Sequence, residues 1–232
     1  MEPFNRKNTV VLIFALSSRE QIKHKCIPRG KLLFDKLNNH TLATVKKSGL
    51  PYQICSEHHQ LGDTFGKRLS TAIQLLFDEG YKNVIAIGND CPQLTVAHLS
   101  YTHEQLSIGN SVLGPTSDKG FYLVGIQKRY FLRAHFEALP WCGDTLLYHT
   151  LGYFKTLCAK AICLEELNDI DHVWDIKSVL QSPETFTSTL KNILVLILEQ
   201  VSRNFFQPVA NDFFSFLEIP FNKGSPNSPI YS

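Results

Sequence analysis

The chain is short of several things that would narrow its function at once. Its net charge is only +2 over 232 residues, with 23 basic and 21 acidic side chains. No broad basic surface can come from that balance, so nucleic acid or an anionic membrane is not expected as its main partner. A few well-placed cations would still suffice for a phosphate group. None of the six cysteines, Cys26, Cys55, Cys91, Cys142, Cys158 and Cys163, forms a Cys-x-x-Cys pair, and no histidine cluster completes a zinc pattern. The expectation is free, buried thiols in a reducing compartment, Cys158 and Cys163 among them. Long apolar runs are missing too. Residues 193–198 are far too few to span a bilayer, and the apolar run at 10–16 has neither the flanks nor the cleavage site of a secretory leader. A soluble cytoplasmic protein with no integral membrane segment is expected.

What is present reads as alternating strands and helices. Residues 9–16 form a continuous β-branched and apolar run, the mark of a strand buried on both faces. A polar loop is expected over 17–29, with Lys23, His24 and Lys25 in it. Helical spacing follows over 31–47, ended by Gly49 and Pro51. A second strand is expected at 52–55. Asp63 or Thr64 then caps a helix to about Glu79, closed by Gly80. Residues 83–87 give a third strand, and Thr95 begins a helix towards Leu106. Strands at 111–113 and 121–126 flank a turn-rich loop, 114–120. Two helical segments follow Tyr130, then a strand at 161–164 and helices at 173–180 and 186–205. No internal repeat is visible. The organisation is one α/β domain over 1–205 and an irregular tail, 206–232, rich in Pro, Asn, Ser and Phe. Aromatics in that tail would pack back on the domain or form a homodimer contact.

Four segments could carry chemistry. Strand 84–87 runs straight into Gly88-Asn89-Asp90-Cys91-Pro92. Ligands of open α/β sheets bind at the carboxyl ends of strands, and an acid there can hold a hard divalent ion that bridges diphosphate oxygens. Asp90 could equally cap a turn before the next helix. In the loop Gly114-Pro115-Thr116-Ser117-Asp118-Lys119-Gly120, Asp118 could meet a sugar hydroxyl or a metal-bound water, and Gly120 could admit close backbone approach. Plain turn chemistry would explain the same residues. Asp169 and Asp171 stand two apart, on one face of an extended segment, and either could add a ligand beside Asp90. Otherwise they are helix-initiating acids, with Asp171 as the cap. Lys23, Lys25 and Arg29 form a cationic stretch that either neutralises phosphates or is simply solvated. His58 and His59 read as exposed and idle, Trp141 as a packing residue, and Asp144 completes the candidates.

Taken in order, these segments resemble one bacterial group. They include Gly62-Asp63-Thr64-Phe65-Gly66-Lys67-Arg68, Ile87 to Pro92, Leu113-Gly114-Pro115, Asp118, Gly120 to Gly125, Leu139-Pro140-Trp141 and Asp169-Ile170-Asp171. The group is that of glycosyltransferase A-like proteins associated with radical-SAM and selenodomain proteins, within the nucleotide-diphospho-sugar transferase superfamily. The resemblance runs from about Val10 to Val179. It implies a Rossmann-like glycosyltransferase A fold, with a mostly parallel mixed sheet and helices on both faces. It implies a metal-dependent transferase using a nucleotide-diphospho-sugar donor. Mg or Mn would be held by Asp90 with Asp171 and Asp169, and Asp118 and Asp90 would be the catalytic acids. Lys23, Lys25, Arg68, Gly88, Asn89 and Gly120 would bind the nucleotide and its phosphates. A nucleotidyltransferase acting on a small phosphorylated acceptor is the alternative on the same scaffold, and a non-catalytic binding relative is another.

The chain departs from the group's pattern at three places. Leu16-Ser17-Ser18-Arg19-Glu20 replaces a loop with proline and glycine, Lys67 stands where an acid is common, and Asp118-Lys119-Gly120 replaces a double-glycine turn.

Overall fold

Alternate residues of the central strands belong to different cores, and that alternation sets the architecture. The computed structural model describes residues 8–182 and 186–205. Strands β1 (Thr9–Phe14), β2 (Tyr52–Cys55), β3 (Asn83–Ile87), β4 (Ser111–Pro115), β5 (Phe121–Gln127) and β6 (Ala161–Cys163) form one sheet in the order β2-β1-β3-β5-β4-β6. The pairs β1–β2, β1–β3 and β4–β6 are parallel. Only β5 runs against its neighbours β3 and β4. The expected mostly parallel mixed sheet is therefore present.

Val10, Leu12, Val84, Ala86, Leu113 and Val124 face one core, with Leu69, Ile73 and Phe77 of helix α3 (Phe65–Asp78) and Phe154 of α6 (Leu146–Thr156). Val11, Ile13, Ile85, Ile87, Val112 and Leu123 face the other, with Val45 of α2 (Gly30–Ser48) and Leu99 and Leu106 of α4 (Val96–Ser107). Side chains of a strand point alternately to opposite faces, so helices cover both sides. A third cluster joins Leu33, Phe34 and Leu37 of α2 to Ile176 and Val179 of α7 (Val173–Gln181) and Leu194 and Ile197 of α8 (Ser188–Phe205). This adds an outer layer on one face.

Local chemistry sets most boundaries where they were expected. Gly49 ends α2 with φ 68, a left-handed conformation that glycine adopts without strain. The Thr64 and Thr95 hydroxyls accept from the Lys67 and His98 amides and start α3 and α4. Three expectations fail. The stretch 17–29 is not simply a loop, because Ser18–His24 forms helix α1. The Ser17 hydroxyl accepts from the Glu20 amide, and Lys23 pairs with Glu20 at 2.6 Å on the outer face. The cap is His172 rather than Asp171 at α7, where the Asp175 carboxylate accepts from both the Asp171 and His172 amides. The thiols also differ from expectation. All six are free, but only Cys55 and Cys91 are buried, while Cys158 sits beyond the end of α6 and Cys163 on edge strand β6, both exposed.

Among the described residues no helix is long and apolar enough to cross a membrane. The expected tail, 206–232, with its proposed dimer contact, lies outside the described residues.

Candidate functional site

At the carboxyl edge of β1, β3 and β4 a cleft of about 320 Å³ opens. Its polar residues other than Arg68 and Gln60 arrive along four stretches of chain. Strand β1 delivers Phe14 and Ala15, and α1 follows, ending at Lys25. Ser17 anchors this turn. Its amide and hydroxyl donate to the two Glu57 carboxylate oxygens beyond β2, at 2.8 and 2.6 Å. Strand β3 delivers Gly88, Asn89 and Asp90. The β4–β5 turn delivers Asp118 and Gly120. Residues 167–171 return from β6 and lie along that turn: Leu167 donates its amide to the Pro115 carbonyl at 3.1 Å, and Ile170 to the Asp90 carbonyl at 3.0 Å.

Four carboxylates meet here. Ligand oxygens of Asp118, Asp169 and Asp171 lie within 4.8 Å of one another. Asp118 Oδ1 also accepts from the Gly120 amide at 3.0 Å and from the Thr116 hydroxyl, so the acid shapes its own turn. Burial pushes the Asp169 carboxyl up to about 8, with Asp90, Asp118 and Asp171 adding to the effect. Lys25 closes the cluster. Its Nζ lies 2.7 Å from Asp90 Oδ2, 2.6 Å from Asp171 Oδ1 and 3.1 Å from the Ile170 carbonyl oxygen. Burial alone would lower the Lys25 pKa, but Asp90 and Asp171 outweigh it and the ammonium is held charged.

The set is made of oxygens, and hard divalent ions such as Mg²⁺ and Mn²⁺ prefer such donors. Crowded acids, one of them already driven to hold its proton, also suit a cation that would relieve their repulsion. Asp118, Asp169 and Asp171 therefore fit a metal, and Asp90 stands beside them, across the ammonium it shares with Asp171.

Of the residues expected to bind nucleotide, Lys25, Arg68, Gly88, Asn89 and Gly120 line the cleft. Lys23 does not. It lies on the exposed side of α1 with Glu20. Asn89 is buried, and its side chain ties the chain after β1 to α1 and α2. It donates to the Leu16 carbonyl at 3.1 Å and to Asn38 Oδ1, and accepts from Gln21 Nε2 at 3.2 Å. The Leu16 carbonyl can only accept, so this orientation of Asn89 is required. Among the described residues it leaves Gln21 Oε1 buried at the cleft with no hydrogen-bond partner.

Sequence reasoning missed Gln21 and the aromatic wall. Phe14, Phe65, Phe121 and Trp141 line the cleft, with ring centroids 5.7 Å apart for Phe14–Phe65, 5.6 Å for Phe65–Trp141 and 6.5 Å for Phe121–Trp141. Trp141 is a packing residue, as expected, against Phe136, whose carbonyl takes its indole N–H at 2.9 Å. It is a cleft residue as well. Only the closeness of Phe65 to the Thr64 cap could have hinted at this wall. His58 is exposed beside Glu57, and Asp144 is exposed and away from the cleft.

The fold is shared with a candidate nucleotide-diphospho-sugar transferase from Desulfovibrio desulfuricans G20, at a TM-score of 0.73 and 19% identity, over 84% of this chain and 96% of that one. A weaker likeness links it to Rv0371c from Mycobacterium tuberculosis H37Rv, solved as a complex with manganese: TM-score 0.45, 12% identity, 76% of this chain and 100% of that one. No curated protein matches the sequence. A family model does match, over residues 28–143, a stretch that holds β2, β3, Asp90, the Asp118 turn and Trp141. The chain belongs to the DUF2064 family, described as uncharacterized proteins conserved in bacteria.

Proposed function

We propose that the chain is a metal-dependent transferase that takes a nucleotide-diphospho-sugar as donor, of the type associated with radical-SAM and selenodomain proteins. One observation carries the reading. Asp118 of the β4–β5 turn and Asp169 and Asp171 of the segment after β6, about fifty residues apart, bring their oxygens within 4.8 Å at the carboxyl edge of the sheet, with Asp118 and Asp169 lining an aromatic-walled cleft. That edge is where open α/β sheets take their ligands. The fold shared with the Desulfovibrio protein supports the same reading.

Asp118, Asp169 and Asp171 would hold Mg²⁺ or Mn²⁺, with Asp90 adjoining. Bound there, the ion would supply Lewis-acid stabilisation of charge on the departing diphosphate. The other roles belong to the chain. Arg68 and Lys25 line the cleft and neutralise phosphate oxygens. Phe65 and Trp141 offer ring faces to a base or sugar. Asp118, the most exposed of the three acids, orients the acceptor hydroxyl or takes its proton.

The test is a thermal-shift screen of nucleoside diphosphates, triphosphates and nucleotide sugars, each with and without Mn²⁺. A ligand that binds only the folded chain raises its apparent stability. A metal-dependent shift with a nucleotide sugar, absent in Asp90→Ala, is the expected result. A shift with triphosphates alone would replace the proposal with a nucleotidyltransferase, and no shift with any of them would replace it with a binding protein.

A further inference from the structure

The Lys25 ammonium donates to Asp90 Oδ2 at 2.7 Å and to the Ile170 carbonyl oxygen at 3.1 Å, and it forms an ion pair with Asp171 Oδ1 at 2.6 Å. As the chain stands, these three protein oxygens, rather than a phosphate, surround the ammonium. Two of these oxygens belong to acids that the metal reading needs. Asp171 is counted twice: it holds the ammonium, and one of its oxygens lies within 4.8 Å of those of Asp118 and Asp169. A divalent ion bonds to carboxylate oxygens at about 2.1 Å, so ion and ammonium would press against the same group. Like charges that close oppose each other strongly at a partly buried site, where solvent screening is weak.

The lysine can yield where the acids cannot. Its charge rides on a flexible four-carbon stem at the end of α1. The acids sit on short stems over a held backbone: the Asp175 carboxylate accepts from the Asp171 amide, and the Asp90 carbonyl accepts from the Ile170 amide. Lys25 also lines the cleft, so an ammonium leaving Asp171 has the ligand's side of the site to move into.

We propose that Lys25 is the resident cation of the acidic cluster and that a divalent ion displaces it from Asp171, which frees Asp90 as a further ligand and turns the ammonium towards an anionic ligand in the cleft. This inference rests on the metal reading above. It makes Lys25 a positioning residue: metal and ligand phosphate load together because the first releases the cation that meets the second.

The experiment is a Mn²⁺ titration of the full chain followed by electron paramagnetic resonance, on wild type, Lys25→Met, Lys25→Arg and Arg68→Met. Lys25→Met should bind Mn²⁺ roughly tenfold or more tightly than wild type, a coupling within the usual range between linked sites. Lys25→Arg, which keeps the charge, should stay near wild type. Arg68→Met removes a charge from the same cleft without vacating Asp171 and should change affinity far less. On wild type alone, the reactivity of Lys25 towards an amine-labelling reagent, read by mass spectrometry, should rise when Mg²⁺ saturates the site. That second measurement decides the matter if Lys25→Met does not fold. Equal affinity in wild type and Lys25→Met, an equal gain in Arg68→Met, or unchanged labelling at saturation would overturn the displacement and leave the metal reading standing. If neither wild type nor Lys25→Met binds Mn²⁺, the metal reading falls and takes the displacement with it.

Discussion

Gly66 and Trp141 stand so close that a methyl group on Gly66 would lie 2.6 Å from the indole Cδ1 and 2.3 Å from the Glu137 carbonyl oxygen. The first turn of α3 is thereby pressed against the 137–141 turn, which places Phe65 beside Trp141 in the cleft wall. Neither contact can relax by swinging a flexible side chain. Gly66→Ala should destabilise the protein by about 1–3 kcal/mol, the usual range for overpacking. Its melting temperature should fall by roughly 2–4 °C per kcal/mol for a domain of this size. Trp141 fluorescence, read in a Trp174→Phe background, should change with it. A melting temperature equal to the parent's would show that the wall is looser than described.

Asp169 makes stability depend on pH. Its folded carboxyl is pushed up to about 8 from an ordinary value of 3.8, so the folded chain holds a proton that the unfolded chain has already released. The sign follows from linkage: stability falls as pH rises from about 4 towards 8, and the loss is complete above that. Asp169→Asn keeps the shape and removes the charge. In the presence of a chelator, its melting temperature should exceed that of wild type at pH 8.5 and converge with it near pH 4. Parallel curves for the two proteins across that range would refute the assignment.

Lys119 occupies the turn between β4 and β5 with φ 78, a conformation that disfavours any side chain with a Cβ. Its amide still donates to the Thr116 carbonyl at 3.0 Å, so the turn is closed despite the strain. The left-handed conformation costs a non-glycine residue about 1–2 kcal/mol. Part of that is offset because glycine has more freedom to lose on folding. Lys119→Gly should therefore stabilise the protein by about 0.5–1 kcal/mol. Urea denaturation would read this as a higher midpoint at unchanged slope, and a lower midpoint would contradict it.

Features with local causes were legible in the sequence. Gly49, Thr64 and Thr95 mark helix ends because a backbone conformation or a hydroxyl three residues from an amide is enough to set them. The doubly buried β1 was legible because apolar side chains on both faces leave no other place for it. Helix α1 was not, since seven residues carry no repeating apolar stripe, although Ser17 and Glu20 stood at capping distance. At the site, the four acids were candidates from their order along the chain, and they do converge. The hold of Lys25 on Asp90 and Asp171 was illegible, because nothing near Lys25 in sequence distinguishes it from Lys23, which points outward. The aromatic wall was hidden for the same reason: Phe14, Phe65, Phe121 and Trp141 are scattered along the chain and stand side by side only once β1, α3, β5 and the 137–141 turn come together.

The contact between Lys25 and the Ile170 carbonyl spans 145 residues. Bringing such distant points together carries a chain-closure penalty that local pairs do not. A chain growing from its N-terminus can pair Lys25 with Asp90 as soon as β3 is made, but Asp169 and Asp171 emerge only after all six strands. Asp169 and Asp171 are thus the last acids of the site to be made, after Lys25, Asp90 and Asp118. The lysine that balances those late acids is carried near the opposite end of the described chain, so the charge balance of the site joins the first strand–helix unit to the segment after the last strand.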